Sequence, residues 1–206
     1  MADFETLMSE AESSMEALIA ASSENDSETL LTPMTQSSSV RSLMVRKLAD
    51  IVVLPTGQIS ANERSLTADI LLQVIDKVDV DLRMEVALRI SRVSECPPAL
   101  VRALILDEPE IAERILCDCE SISSALLIEA ATLGTTAHRL LIAQRADLTT
   151  AITDALLKFE ELEVCAQVLK REKCELSSTS INMLVALSAN KVELQPLILR
   201  LSLIHI

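Results

Sequence analysis

Apolar and polar positions alternate with a helical period along residues 80–190, and the pattern is densest at residues 137–157. This stretch, AHRLLIAQRADLTTAITDALL, contains one apolar group at residues 140–143 and a second at residues 152–157. Apolar residues that recur at such intervals are typical of amphipathic helices. Residues 145–147, Arg-Ala-Asp, lie between the two groups, so the stretch predicts two short helices with a tight joint.

The same two-helix pattern recurs on both sides of that stretch. Predicted first helices begin near residues 85, 110, 138, 163 and 192, which gives spacings of 25, 28, 25 and 29 residues. Predicted second helices lie between them, at residues 99–106, 124–132, 150–159 and 179–189. Such a period is typical of stacked repeats, in which each helix pair buries its apolar stripe against its neighbours. The sequence therefore predicts an all-α, right-handed α-solenoid of about four or five compact HEAT-like two-helix repeats.

Helix-capping residues mark several of the predicted boundaries. Ser60 and Glu63 have the spacing of a capping box, in which each side chain bonds to the backbone N–H of the other residue. Asp107 and Glu110 have the same spacing around a proline, so we expect Asp107 at the N-cap and the proline in the first turn. Gly134 follows an apolar run, where a left-handed residue is expected to end the helix.

Composition divides the chain into segments. Residues 1–21 predict an amphipathic, acidic N-terminal helix, which either docks on the repeats or binds a partner in a groove. Residues 22–39 are rich in Ser, Thr and acidic side chains, a composition typical of a flexible linker. Residues 40–200 form the predicted HEAT-like repeat domain, and a longer helical hairpin at residues 40–78 caps its N-terminal end.

The last residues, 201–206, read LSLIHI. This hexapeptide resembles the translation of a transposon end that is used to fragment DNA for sequencing libraries. We therefore expect a non-native tail on a truncated fragment, and we exclude His205 from every functional argument. The alternative is a natural hydrophobic C-terminus that docks on the repeats or pairs two copies.

The amino-acid composition indicates which residue types form the core and in which cellular compartment the protein is expected. Only Phe4 and Phe159 are aromatic, so the core must consist of Leu, Ile, Val, Ala and Met. The five cysteines are odd in number and scattered, which is unlike a disulfide framework and indicates a reducing cytoplasm. No apolar run approaches the roughly 20 residues that a membrane span requires, so we expect no membrane association.

Negative charge is concentrated near the N-terminus. The chain has a net charge of −13, and residues 1–39 contain eight of its 31 acidic residues and no Lys or Arg. Lys170, Arg171 and Lys173 form a basic group, which at a helix C-terminus complements the helix dipole. Because DNA affinity comes largely from Lys and Arg that neutralise phosphates, we expect no nucleic-acid partner.

Two runs of residues resemble a known family. They are LDEPEIAERIL at residues 106–116 and AHRLLIAQRADLTTAITDAL at residues 137–156. With the hairpin before them, they resemble the bacterial domain-of-unknown-function family 2336 of HEAT-like helical repeat proteins, over roughly residues 40–200. The resemblance implies a helical solenoid with no assigned reaction. The positions that match the family motif, which we expect to be structural, are Asp107, Glu108, Glu110, His138, Arg145, Thr153 and Asp154.

Three groups of residues invite a catalytic or metal-binding interpretation. Cys117 and Cys119 lie two positions apart on a predicted helix, so they point to different faces, and no second pair completes a zinc site. His138 lacks a nucleophilic partner and is expected to hydrogen-bond to Asp107 or Glu108. The acidic cluster around these two carboxylates is explained by helix N-terminal electrostatics. We therefore expect no catalytic residue, no bound metal and no cofactor.

The sequence thus favours a non-enzymatic scaffold or adaptor that binds proteins through one face of its helices. No motif identifies the protein partner, and self-association into a homo-oligomer stays open. One alternative is a regulatory module of a bacterial signalling protein whose active C-terminal part is missing. Another is a HEAT-like nucleic-acid-binding or glycosylase-type protein, which would require a basic concave face and, for stacking on extruded bases, aromatic side chains.

Overall fold

The computed structural model describes residues 32–93, 96–119, 122–171 and 175–204. Within these ranges the chain forms eleven α-helices and one short 3₁₀-helix with no β-strand, which confirms the all-α prediction. The helices are α1 (Thr32–Val52), α2 (Ala61–Ile75), α3 (Val80–Ile90), α4 (Pro98–Ile105), α5 (Pro109–Asp118), α6 (Ser124–Leu133), α7 (Thr136–Gln144), α8 (Thr150–Leu157), α9 (Leu162–Leu169), α10 (Ser178–Asn190) and α11 (Gln195–Ile204), with the 3₁₀-helix at Val192–Leu194. The helix predicted for residues 1–21 lies outside the described residues, as do Lys173, Cys174 and His205.

The helices divide into two compact units, with the division after Leu104. In the first unit, α1 packs against α2 and α3. Burial of apolar surface contributes roughly 25 cal/mol per Å² and stabilises helices that are too short to be stable alone. The buried side chains of these three helices include Val45, Ala49, Val52, Ala68, Leu71, Leu82 and Val86.

A buried arginine from α2 closes the C-terminal end of α1. The Arg64 guanidinium donates to the backbone carbonyl oxygens of Val52 and Leu54, the latter at 2.7 Å. The last carbonyls of a helix lack partners within the helix, and they form the negative end of its dipole. A guanidinium in this position therefore satisfies acceptors that would otherwise need water.

Helix α1 begins earlier than the sequence predicts. The composition of residues 22–39 indicated a linker with the next helix starting at Val40, but α1 already begins at Thr32. Pro33 lies in its first turn, where the missing N–H would have had no partner in the helix. Extending a helix adds one hydrogen bond for each residue fixed, so the Ser-rich segment continues the helix.

The capping box predicted at the start of α2 is present. The Ser60 backbone N–H donates to Glu63 Oε2 at 2.8 Å, and the Glu63 backbone N–H donates to Ser60 Oγ at 3.3 Å. The hydrogen bonds from the side chain and the backbone of Ser60 lower the pKa of the Glu63 carboxyl. The sequence predicts this capping box correctly because Ser60 and Glu63 are only three residues apart.

The capping box predicted at the start of α5 is wrong. The N-cap residue is Glu108 instead of Asp107, and Pro109 is the first helical residue. A residue before proline is restricted to extended conformations, which Glu108 adopts, so the proline sets the boundary. Asp107 Oδ1 accepts the Glu108 N–H at 2.7 Å, and the Glu110 side chain is exposed at the second helical position.

In the second unit, alternate helices pack side by side. Helix α5 packs against α7, α7 against α9, and α9 against α11, while α6 packs against α8. Ala112 of α5 and Ala143 of α7 are fully buried. These helices therefore bury their apolar stripes mainly against the next helix but one.

Two polar contacts join residues near the N-terminal ends of different helices in the second unit. The hydroxyl of Thr136, at the start of α7, donates to Glu161 Oε1 just before α9 at 2.7 Å. The hydroxyl of Thr150, at the start of α8, donates to Glu175 Oε2 ahead of α10 at 3.3 Å. Both contacts join residues 25 positions apart, which is one of the spacings found in the sequence.

Gly134 joins α6 to α7, but not in the left-handed conformation that the sequence predicts. Its φ is −74° and its ψ is 177°, which is extended backbone. The glycine is required by a close approach instead. A Cβ atom at this position would lie 2.6 Å from the carbonyl oxygen of Ala130 and 2.7 Å from the Cβ atom of His138. The two helices therefore meet at a distance that only glycine permits.

Replacing Gly134 with alanine is expected to destabilise the second unit. The added methyl group would overlap a backbone carbonyl and a neighbouring Cβ atom, and such overpacking typically costs about 1–3 kcal/mol. Gly57 provides the matched control, because a Cβ atom there meets nothing within 4 Å and its φ is not positive. Urea unfolding measures both variants. Equal stability of Gly134→Ala and Gly57→Ala would contradict the close approach of α6 and α7.

Candidate functional site

An open groove of about 500 Å³ lies in the second unit, between the C-terminal ends of α5 and α7. Its walls come from the last turns of these helices and from the joint that follows α7. Apolar and polar side chains share its surface. The lining residues are Leu116, Cys117, Cys119, Leu141, Gln144, Arg145, Ala146 and Asp147.

Arg145 lines this groove with only 8% of its side chain exposed. Its Nη1 donates to the backbone carbonyl oxygens of Leu116 at 2.5 Å and Cys119 at 3.0 Å, at the end of α5. Its Nε and Nη2 donate to the two carboxylate oxygens of Asp147, each at 2.9 Å. The hydrogen bond from Arg145 lowers the pKa of Asp147, so the carboxylate stays ionised at neutral pH. The Arg145 guanidinium therefore binds the carbonyl oxygens at the end of α5 and the carboxylate of Asp147.

The two cysteines of the groove differ in exposure. Cys117 is exposed on α5 and Cys119 is buried at the end of that helix, which agrees with the predicted difference in direction. Partial burial raises the pKa of the Cys117 thiol, and the carboxylates of Glu113 and Asp118 raise it further. Burial likewise raises the pKa of Cys165 to about 11. A nucleophilic cysteine requires a lowered pKa, so these environments disfavour thiolate chemistry.

His138 is buried at the start of α7, with 3% of its surface exposed. Its Nδ1 accepts the backbone N–H of Thr135 at 3.2 Å, and its Nε2 lies 2.9 Å from the carbonyl oxygen of Asp107. Because Nδ1 is an acceptor, the proton of the neutral ring is on Nε2 and is donated to that carbonyl. The predicted hydrogen bond to Asp107 is therefore present, but it is made with the backbone. Among the residues that the structure describes, no three His, Cys, Asp or Glu side chains are grouped to hold a metal ion.

Thr153 and Asp154, the remaining motif residues, bond to helix ends. The Thr153 side chain is fully buried, and its hydroxyl donates to the carbonyl oxygen of Thr149 at 2.9 Å. Asp154 Oδ1 accepts the hydroxyls of Ser177 at 2.7 Å and Ser180 at 2.5 Å, at the start of α10. Of the motif residues, Arg145 alone is among those that line the groove.

The sequence pattern gave no indication of the role of Arg139, a buried residue of α7 with 6% of its surface exposed. Its Nε and Nη2 donate to the two carboxylate oxygens of Glu161, each at 2.6 Å. Its Nη1 donates to the carbonyl oxygens of Ala131 at 3.1 Å and Gly134 at 2.8 Å. The centroid of the Phe159 ring lies 4.1 Å from the Cζ atom of Arg139, which is a cation–π contact. One side chain thus joins the end of α6, helix α7 and the turn before α9.

The only available signal for Arg139 was its position on the apolar face of α7. It lies three and four residues before Ile142 and Ala143, which are both fully buried. A buried guanidinium needs a carboxylate and further acceptors, but the pattern does not say which residue supplies them. That residue follows Glu160, whose φ of 53° is uncommon for a residue other than glycine.

The fold places the second unit in the class of all-α proteins built from short helices. Residues 111–204 match the model of a family described as "Uncharacterised protein conserved in bacteria (DUF2336)". The resemblance to this bacterial family is therefore confirmed over residues 111–204, which include every residue that lines the groove. The match begins at residue 111, whereas the sequence suggested a start near residue 40.

No curated protein and no solved structure matches the chain. None of the helices within the described ranges combines the length and the apolar character that crossing a bilayer would require.

The Arg139–Glu161 ion pair is expected to make the stability of the second unit depend on pH. The hydrogen bonds from Arg139 hold the pKa of Glu161 below its usual range. The unfolded chain therefore takes up the proton first as the pH falls. The stabilisation is complete above the unfolded pKa of about 4.3, and it is lost as the pH drops through the lower folded pKa.

Glu161→Gln is expected to remove this pH dependence. The variant should be about 2 kcal/mol less stable than the wild type near pH 7, because it loses hydrogen bonds to a charged group. The difference should shrink below about pH 4, because the unfolded wild-type chain then binds a proton at Glu161 that the folded, ion-paired carboxylate does not. Urea unfolding of both proteins over this range measures it. A difference that stays constant with pH would contradict the contribution of the ion pair.

Proposed function

We propose that this protein is a non-enzymatic interaction module that binds another protein through the groove between α5 and α7. The observation that carries the proposal is the mixed lining of this groove. Cys117, Leu141 and Ala146 offer apolar contact, and the Gln144 amide offers both a donor and an acceptor. Protein-binding surfaces combine apolar area at the centre with few unpaired charges.

The pairing of Arg145 favours a protein partner over a nucleic acid. Phosphate binding relies on Lys and Arg side chains that can neutralise the backbone. Among the residues that line the groove, Arg145 is the one cation, and its donors are directed to Asp147 and to backbone carbonyls. A phosphate would have to compete with these intramolecular bonds.

We further infer that the helix pairs of the second unit stack as compact HEAT-like repeats of a right-handed α-solenoid. The packing of α5, α7, α9 and α11 in series supports this architecture, as do the polar contacts between residues 25 positions apart. Solenoids present extended faces on which partners bind. We propose a bacterial cytoplasmic location, since Cys117, Cys119 and Cys165 are free thiols.

The test compares two alanine-to-glutamate variants of the full chain. Ala146 lines the groove, whereas Ala151 is equally an exposed alanine but lies on α8 outside the groove lining. Proteins captured from the native bacterial host by the wild-type chain are identified by mass spectrometry and purified. The affinity of each purified partner for wild type, Ala146→Glu and Ala151→Glu is then measured by calorimetry.

Ala146→Glu is expected to weaken binding at least about tenfold, which corresponds to about 1.4 kcal/mol. The added carboxylate has to be desolvated when a partner covers the groove. Ala151→Glu should bind with wild-type affinity. The proposal is wrong if the two variants bind equally well, or if the groove binds duplex DNA in a salt-dependent manner and Ala146→Glu abolishes that binding.

A further inference from the structure

A second exposed surface lies on α10. Ser180 and Leu184 are the buried side chains of this helix. Ile181 and Val185, one turn apart, are 44% and 52% exposed. Residues that are four apart on a helix share a face, so these two side chains form a continuous apolar strip, which we call the α10 face.

The α10 face is uncharged in a strongly acidic chain. The sequence of α10, STSINMLVALSAN, contains no Asp, Glu, Lys or Arg, whereas the chain has a net charge of −13. Two copies of such a chain repel each other because they carry net charge of the same sign. This repulsion is weakest where both surfaces are uncharged, and the α10 face meets that condition on each copy.

The charged residues nearest to the two ends of α10 carry opposite charges. Glu175 lies just before the helix and Lys191 just after it, and both are exposed. In an antiparallel arrangement of two α10 helices, Glu175 of each copy approaches Lys191 of the other. A parallel arrangement would bring like charges together at both ends. The charges therefore favour an antiparallel, two-fold pairing, in which each copy uses the same surface.

We propose that two copies of this chain associate through the α10 face in this antiparallel arrangement. A helix of 13 residues is about 20 Å long. Its exposed face is smaller than the roughly 800 Å² per partner of a standard interface. The dimer is therefore weak and reversible. The proposal does not depend on the groove between α5 and α7, which involves other residues.

Sedimentation equilibrium of the full chain, from about 1 μM to 1 mM, tests the proposal. The wild type is expected to show a monomer–dimer equilibrium within this range of about three decades. Val185→Glu should raise the dissociation constant at least about tenfold, because it places a carboxylate in the apolar contact. Leu66→Glu is the matched control, since Leu66 is a 63% exposed apolar residue on α2. It adds the same charge and should leave the dissociation constant unchanged.

A charge exchange tests the antiparallel arrangement and does not alter the apolar strip. Glu175→Lys and Lys191→Glu should each weaken the dimer about threefold, as expected for exposed ion pairs. The double variant keeps the net charge and should recover wild-type association. Circular dichroism establishes that each variant is folded. The proposal fails if the wild type stays monomeric or forms larger oligomers, if Leu66→Glu acts like Val185→Glu, or if the double variant does not recover.

Discussion

The second unit depends on the ion pair and the hydrogen bonds of the Arg139 guanidinium. Its ion pair with Glu161 and its bonds to the carbonyls of Ala131 and Gly134 keep a buried charge fully paired. Losing hydrogen bonds to a charged group typically costs about 1.5–3 kcal/mol. The end of α6, helix α7 and the turn before α9 must therefore hold their positions together. The Phe159 ring covers one face of the guanidinium and adds a cation–π attraction.

Arginine at the end of a neighbouring helix recurs in both units. Arg64 bonds to the end of α1 and Arg145 to the end of α5, and Arg171 donates to the Ala143 carbonyl near the end of α7 at 3.1 Å. Each guanidinium satisfies carbonyls that no residue of their own helix can reach. This structural use of arginine has a consequence for binding. Arg145 is paired with Asp147, the other residues that line the groove are apolar or neutral, and the proposed protein-binding function rests on this lining.

The helices could largely be predicted from the sequence, because each short helix must bury an apolar stripe with a regular period. Helix caps could be predicted where the two capping residues are close in sequence, as at Ser60 and Glu63. The predicted caps were wrong where another constraint set the end of the helix. Pro109 moved the N-cap of α5, and Gly134 serves a contact with His138 instead of a left-handed turn. The pairing of Arg139 with Glu161 and the bond from Arg145 to Leu116 could not be predicted, since these partners lie 22 and 29 residues away and meet only when the helices stack.

Native-state hydrogen exchange of Arg139→Lys tests the central role of Arg139 most directly. Lysine keeps the positive charge, but it cannot bind both carboxylate oxygens of Glu161 and the carbonyls at the end of α6 at once. We predict that amide exchange in α6, α7 and α9 accelerates together, by about tenfold to hundredfold, while α2 in the first unit is unaffected. Faster exchange that is confined to α7, with α6 and α9 unchanged, would contradict the account.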